Sequence, residues 1–124
     1  MSDKLDFLAF GAHPDDVELG CGATIAKLVS QGKKVGIVDL TRGELGTRGS
    51  AEIRTKETKE ATKILGITIR ENMDFKDGFF RNDEEHQLKI IHVIRKYQPD
   101  FIFCNAPDDR HIDHPKGSQL VVEA

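Results

Sequence analysis

Phe7-Leu8-Ala9-Phe10-Gly11-Ala12-His13-Pro14-Asp15-Asp16 is the stretch on which the reading of this chain turns. Its first four residues are uniformly apolar, as in a strand covered on both faces. One imidazole and two carboxylates follow within four residues, where that strand ends. Donors of this kind hold a divalent metal, and hydrolysis at a metal needs a further carboxylate beside it. About a hundred residues later, Asp108-Asp109-Arg110-His111-Ile112-Asp113-His114-Pro115 follows another apolar run. Two His/Asp-rich loops, each at a strand exit, suggest one metal site assembled from both.

Working outward, apolar runs alternate with amphipathic stretches along the whole chain. Strands are expected over 6–10, 34–40, 69–75 and 101–105, and helices over 16–31, 51–65, 84–97 and from 116 onward. Leu19, Ala23, Ala26 and Val29 keep helical spacing in the first helix. Ile53, Ala61, Ile64 and Leu65 do so in the second, and Leu88, Ile90, Ile91 and Ile94 in the third. Gly32 and Gly66 stop the first two helices, and Pro99 follows the third. Strict βα alternation implies an α/β fold, a Rossmann-like parallel sheet flanked by helices, with right-handed crossovers. The usual strand order of such sheets, 3-2-1-4, makes strands 1 and 4 neighbours at the point where the winding reverses, and ligands bind there. The two polar clusters would then face each other across one crevice.

The chemistry follows from residue type and spacing. His13 and Asp16, at the start of a helix, can reach one ion, and His114 from the opposite loop completes a three-ligand set with an open position. Asp15, adjacent to a ligand but not needed as one, is placed to take a proton from water. A developing oxyanion needs a positive partner and a leaving amine needs a proton; His111 suits one of these tasks, with Asp113 to hold its ring. An Asp-Asp pair before a helix also reads as a helix cap, and a loop histidine as surface. His86 reads as solvated and His92 as half-buried, neither at the metal. The loop Thr41-Arg42-Gly43-Glu44-Leu45-Gly46-Thr47-Arg48-Gly49-Ser50 follows strand 2 on the same sheet edge. Its glycines permit close approach to a ligand, and Arg42, Arg48 and Arg54 can grip hydroxyls or a carboxylate. No dinucleotide fingerprint follows strand 1, and no Walker lysine pattern occurs.

The composition narrows the class. The 124 residues carry 18 basic and 21 acidic side chains, a net charge of −3, with no basic footprint for nucleic acid. No apolar run has the length of a membrane span, and the first residues lack a signal-peptide pattern. Cys21 and Cys104 show no framework spacing and read as reduced, packed thiols of a cytoplasmic protein. The last residues, Lys116 to Ala124, begin as a helix and stop in mid-pattern, leaving Leu120 and Val121 on a face that a continuing chain should cover.

Ala12-His13-Pro14-Asp15-Asp16 with His111-Ile112-Asp113-His114-Pro115, together with the loop 41–49 and Arg54, resembles the zinc-dependent N-acetylglucosaminide deacetylases, the LmbE-like or PIG-L family. The likeness spans essentially the whole chain. It points toward Bacillus-type members, which deacetylate N-acetylglucosaminyl malate in bacillithiol biosynthesis or act on N-acetylglucosamine and chitobiose derivatives. The resemblance implies Zn²⁺ held by His13, Asp16 and His114, and Asp15 as general base and as acid toward the amine. It also implies His111 as oxyanion stabiliser, Asp113 as the residue that orients His111, and Arg54 as a substrate contact. Family members run further, with more strands and a region that closes one wall of the pocket. The expectation is one α/β domain over 1–124, truncated at its C-terminus and homo-oligomeric when full length. Its expected reaction is hydrolysis of a sugar acetamide. Hydrolysis of another amide at the same metal, or a non-catalytic metal- or sugar-binding fragment, stand as alternatives.

Overall fold

Alternation within the apolar runs decides what each strand buries. In β1 (Phe7–Gly11) Leu8 and Phe10 enter one layer and Ala9 the other. In β2 (Val35–Thr41) Val38 and Leu40 join the first layer, Val35 and Ile37 the second. A side chain of this size is worth about 1.5–3 kcal/mol when fully buried, so the two layers hold the sheet between them. A computed structural model of the chain describes residues 3–45 and 51–124. It adds β3 (Ile69–Phe75) and β4 (Phe101–Phe103), and the helices α1 (Asp16–Ser30), α2 (Ala51–Leu65), α3 (Glu84–Tyr97) and α4 (Asp113–Glu123). The strands pair in parallel in the order β3-β2-β1-β4, as expected. Helices α1 and α2 pack together, as do α3 and α4. Parallel strands bring all four carboxyl ends to one edge, and the polar loops lie there.

The helices differ from expectation mainly in which face they bury. Helix α1 has non-helical angles at Cys21 (φ −146°, ψ 23°), between Gly20 and Gly22, which resets its phase. Val17 and Ile25 are therefore buried, while Leu19 is 82% exposed and Ala23 and Ala26 face solvent. Helix α2 shelters Thr55, Thr58 and Thr62, which line a cavity with Arg70 and Asn72 of β3. It covers a polar flank of the sheet, and Ile53 and Ile64 point outward instead. Helix α3 is capped by Asp83, whose carboxylate accepts the His86 N–H at 3.0 Å, and it buries Ile90, Val93 and Tyr97. Leu88 is exposed; His86 packs edge-on against Phe75 and His92 is the solvated one, the reverse of the expected pair.

Helix α4 begins at Asp113, not Lys116. Asp113 and His114 thus sit on its first turn rather than in a loop, and Pro115 lies where a missing N–H is tolerated. Leu120 and Val121 are buried in the core rather than left on an uncovered face, and Val122 takes the outward position. Strand β4 is shorter than expected and ends before Asn105. Phe101 and Phe103 stack on Phe7 with centroids 5.2 and 5.7 Å apart. Cys104 is exposed rather than packed, and Cys21 is half-buried; both are free thiols. Among the described residues no helix is long and apolar enough to cross a membrane.

Candidate metal centre

The turn between β1 and α1 is fixed by its neighbours before any side chain reaches the site. Ala12 N–H donates to Asn105 Oδ1 at 2.9 Å, and Ala12 C=O accepts the Thr41 hydroxyl at 2.8 Å. His13 N–H donates to Asp16 Oδ2 at 2.9 Å, and Asp16 N–H returns to His13 C=O at 3.1 Å. Between them Asp15 adopts φ 118°, a conformation that disfavours a residue with a Cβ by about 1–3 kcal/mol. Its carboxylate makes no capping bond to the helix, so the capping role does not occupy it.

Three donor atoms converge around Asp16. His13 Nδ1 lies 3.4 Å from Asp16 Oδ2, and His114 Nε2 lies 3.1 Å from the same oxygen. One donor from each of His13, Asp16 and His114 falls within a 4.8 Å cluster. The remaining nitrogens are held by carboxylates. His13 Nε2 sits 2.9 Å from Asp113 Oδ2 and 3.0 Å from Asp77 Oδ1, and His114 Nδ1 sits 3.0 Å from Asp109 Oδ2. Metal-binding histidines are oriented in this way, one nitrogen inward and the other on a carboxylate. His13, His111 and Asp113 form a second cluster of the same size. That set would consume Asp113 and the His13 nitrogen it holds, so the first set suits a divalent ion better.

His111 stands over this centre, its ring centroid 4.7 Å from that of His13 and 5.1 Å from that of His114. The backbone N–H of Asp113 donates to His111 Nδ1 at 3.1 Å. The neutral ring therefore carries its proton on Nε2, ready to donate. Asp113 was expected to hold His111 through its carboxylate; its main chain does so instead, and the buried carboxylate serves His13 and the Gly78 N–H.

Charge is divided unevenly. Burial lowers the His13 pKa, but hydrogen bonds to Asp16 and Asp113 and the Asp77 charge outweigh it and raise it to about 9. Burial raises Asp16, yet the hydrogen bonds from His13 and the His114 charge hold it below the usual carboxylate range. Asp15 moves upward, pushed by partial desolvation and the Asp16 charge against the pull of Arg54. Two adjacent carboxylates thus differ: Asp16 is committed to the imidazoles, and Asp15 is a more basic group.

His13, Asp15, Asp16, Arg54, His111 and His114 line one cavity of about 400 Å³. Arg54 reaches it because Gly43, at φ 66°, leaves room: a Cβ there would stand 2.5 Å from Arg54 Nη1. Arg42 turns away, pairs with Asp74 and lines the neighbouring cavity between α2 and β3. Arg48 lies outside the described residues. Sequence reasoning passed over Asp77 and Asn105, and gave Asp109 no role. Asp77, 5% exposed, also accepts the Leu45 N–H at 2.8 Å and donates its own N–H to Glu44 Oε2 at 2.9 Å, clasping the loop after β2. Its position just past strand 3, on the edge already identified, was the available signal.

The model of the PIG-L family, described as GlcNAc-PI de-N-acetylase, matches residues 8–124. An uncharacterized deacetylase of Escherichia coli, YaiS, is 46% identical over 113 residues, covering 86% of this chain and 60% of that protein. The diacetylchitobiose deacetylase of Thermococcus kodakarensis is 32% identical, covering 99% of this chain and 50% of its own length. The crystal structure of the conserved protein TT1542 from Thermus thermophilus superposes with a TM-score of 0.91 at 45% identity, over 95% of this chain and 54% of that one. The chain thus spans roughly half the length of these relatives.

Proposed function

The chain belongs to the PIG-L family, and we propose on that premise that it hydrolyses the acetamide of an N-acetylglucosamine derivative at a zinc ion held by His13, Asp16 and His114. The observation that carries this reading is the pairing of a three-donor set with an uncapped carboxylate, Asp15, on the same turn. The donor chemistry, two imidazoles and a carboxylate, fits zinc, and a fourth position is left for the reactants. A bound zinc ion supplies Lewis acidity, which lowers the pKa of water and polarises a carbonyl. Asp15 takes the proton of the attacking water and returns it to the departing amine. His111 Nε2–H donates to the oxygen that becomes negative as the carbonyl turns tetrahedral. Asp113 keeps His111 in the donating tautomer through its main-chain N–H and keeps His13 turned inward through its carboxylate.

For the aglycone, Arg54 at the cavity supports a carboxylate-bearing group such as malate, whose oxygens match the guanidinium fork. Leu19 and Leu45 line the same cavity and favour an uncharged partner, such as the second sugar of a chitobiose. Release of amine from N-acetylglucosaminyl malate and from diacetylchitobiose, with and without a chelator, separates these readings. Chelator-sensitive release from either supports the deacetylase; preference for the malate compound that disappears in Arg54→Ala supports the first aglycone. No release from any N-acetylated amino sugar by zinc-loaded protein would overturn the proposal.

A further inference from the structure

Arg70, which lines the neighbouring cavity and not the metal cavity, joins three elements. It lies on β3 opposite Ile37 of β2. Its Nε and Nη2 each donate to Asp39 at 2.9 Å, and its Nη1 and Nη2 donate to Glu18 of α1 at 3.0 and 3.3 Å. The guanidinium side chain is 8% exposed and that of Asp39 2%. Asp39 itself pairs in register with Gly11, at the entrance to the turn 12–16.

We propose that Arg70 is a positioning residue for the metal turn, locking Asp15 and Asp16 in place through Glu18. Two features of α1 make such a lock necessary. The helix is broken at Cys21 between two glycines, so its first turn is not held rigidly by the helix body. Asp15 is also held at φ 118°, and a disfavoured conformation persists only where its surroundings over-determine it. Glu18 stands three residues after Asp15 and two after Asp16 on that same turn. A rotation that moves Asp15 and Asp16 also draws Glu18 off the guanidinium. A lysine at position 70 could not replace the lock, since a point charge cannot grip two carboxylates with a planar fork.

The turnover part of the test rests on the function proposed above; the metal part does not. Glu18 is 21% exposed, and Glu18→Ala leaves Arg70 on Asp39, so the variant avoids an orphaned buried charge. Zinc affinity by chelator competition should weaken roughly 10- to 100-fold, the scale seen when groups supporting metal ligands are removed. The visible spectrum of the cobalt(II)-substituted protein should change, and kcat should fall with KM nearly constant. The metal-free Tm should stay within roughly 2 °C of the parent. Glu18→Gln, which keeps an acceptor for Arg70, should recover part of the affinity, and Arg70→Lys should resemble Glu18→Ala. Parent-like zinc affinity and cobalt spectrum in Glu18→Ala would overturn the proposal, as would losses that merely track a fall in Tm. A parent protein that binds zinc but releases no amine would refute the functional reading alone, with the metal measurements still deciding the role of Arg70.

Discussion

Metal binding should expel a proton from His13. In the metal-free protein this imidazole sits among Asp16, Asp77 and Asp113, and its pKa is raised from 6.5 to about 9. Near neutral pH it therefore carries protons on both nitrogens, whereas an ion at this centre needs Nδ1 bare. Each pH unit well below 9 then weakens apparent affinity tenfold, so affinity at pH 7 should be roughly 50-fold lower than at pH 9, where half the rings have already lost the proton. Zinc competition against a chromophoric chelator across this range measures the slope. Calorimetry in buffers of different ionisation enthalpy counts the protons, with about one expected per ion at neutral pH from His13. The same shift has a stability consequence of definite sign. Because the folded pKa is the higher one, its contribution is fully present below pH 6.5 and is lost as pH rises through 9, up to roughly 3 kcal/mol. The metal-free Tm should therefore fall between pH 7 and 10. Affinity independent of pH with no proton released would refute the assignment of His13 as an inward-facing ligand held by carboxylates.

Asp15→Asn should keep full zinc stoichiometry and lose turnover by ~10²–10⁴-fold, while Asp16→Ala should lose the metal; metal analysis beside kinetics shows whether the two carboxylates have been assigned the wrong way round. His111→Ala should lower kcat by ~10²–10³ with little change in KM, because its Nε2–H acts on charge that develops only in the transition state; an effect confined to KM would make it a ground-state contact. Gly36→Ala should destabilise by about 1–3 kcal/mol without altering zinc content, since a Cβ there would meet Leu5 Cδ1 at 2.6 Å and Ile69 at 2.9 Å; an unchanged Tm would show that β2 has more room than the structure indicates.

The fold was readable because β1 and β2 are apolar runs closed by polar loops, and the βα alternation leaves few topologies. What escaped depended on distant contacts. The spacing of Leu19, Ala23 and Ala26 is helical, but the break at Cys21 rotates the second part of α1, and nothing beyond two flanking glycines marks it. Ile53 and Ile64 read as core until α2 is seen to cover Arg70 and Asn72. The start of α4 was misplaced because Asp113 and His114, read as site residues, are also the first turn of a helix. At the candidate centre, residue type and strand exits led to the expectation that His13, Asp16 and His114 meet, and their donor atoms do come together. Asp77 was not, because Asp77-Gly78 after a strand looks like an ordinary turn; its contact with His13 spans 64 positions. The exchange of partners at Asp113, main chain to His111 and carboxylate to His13, is set by the helix start and has no signature in spacing.

The pairing of β1 with β4 also orders events in time. Ala12 and Asn105 are 93 positions apart, with three crossovers between them, and the bond between them needs β4 docked beside β1. Parallel sheets with such distant partners close slowly, because loop-closure entropy must be overcome before the contacts form. His13 and Asp16 precede that closure in the chain and His114 follows it, so a partly folded chain lacking the β1–β4 pairing cannot offer all three donors. An ion held by all three donors would bind only a chain in which β4 has docked, and would act as a latch on that state. At a thousandfold excess over its dissociation constant it would add about 4 kcal/mol. Zinc present during refolding should then leave the early steps untouched while slowing the escape of β4, so that its effect appears in the unfolding rate.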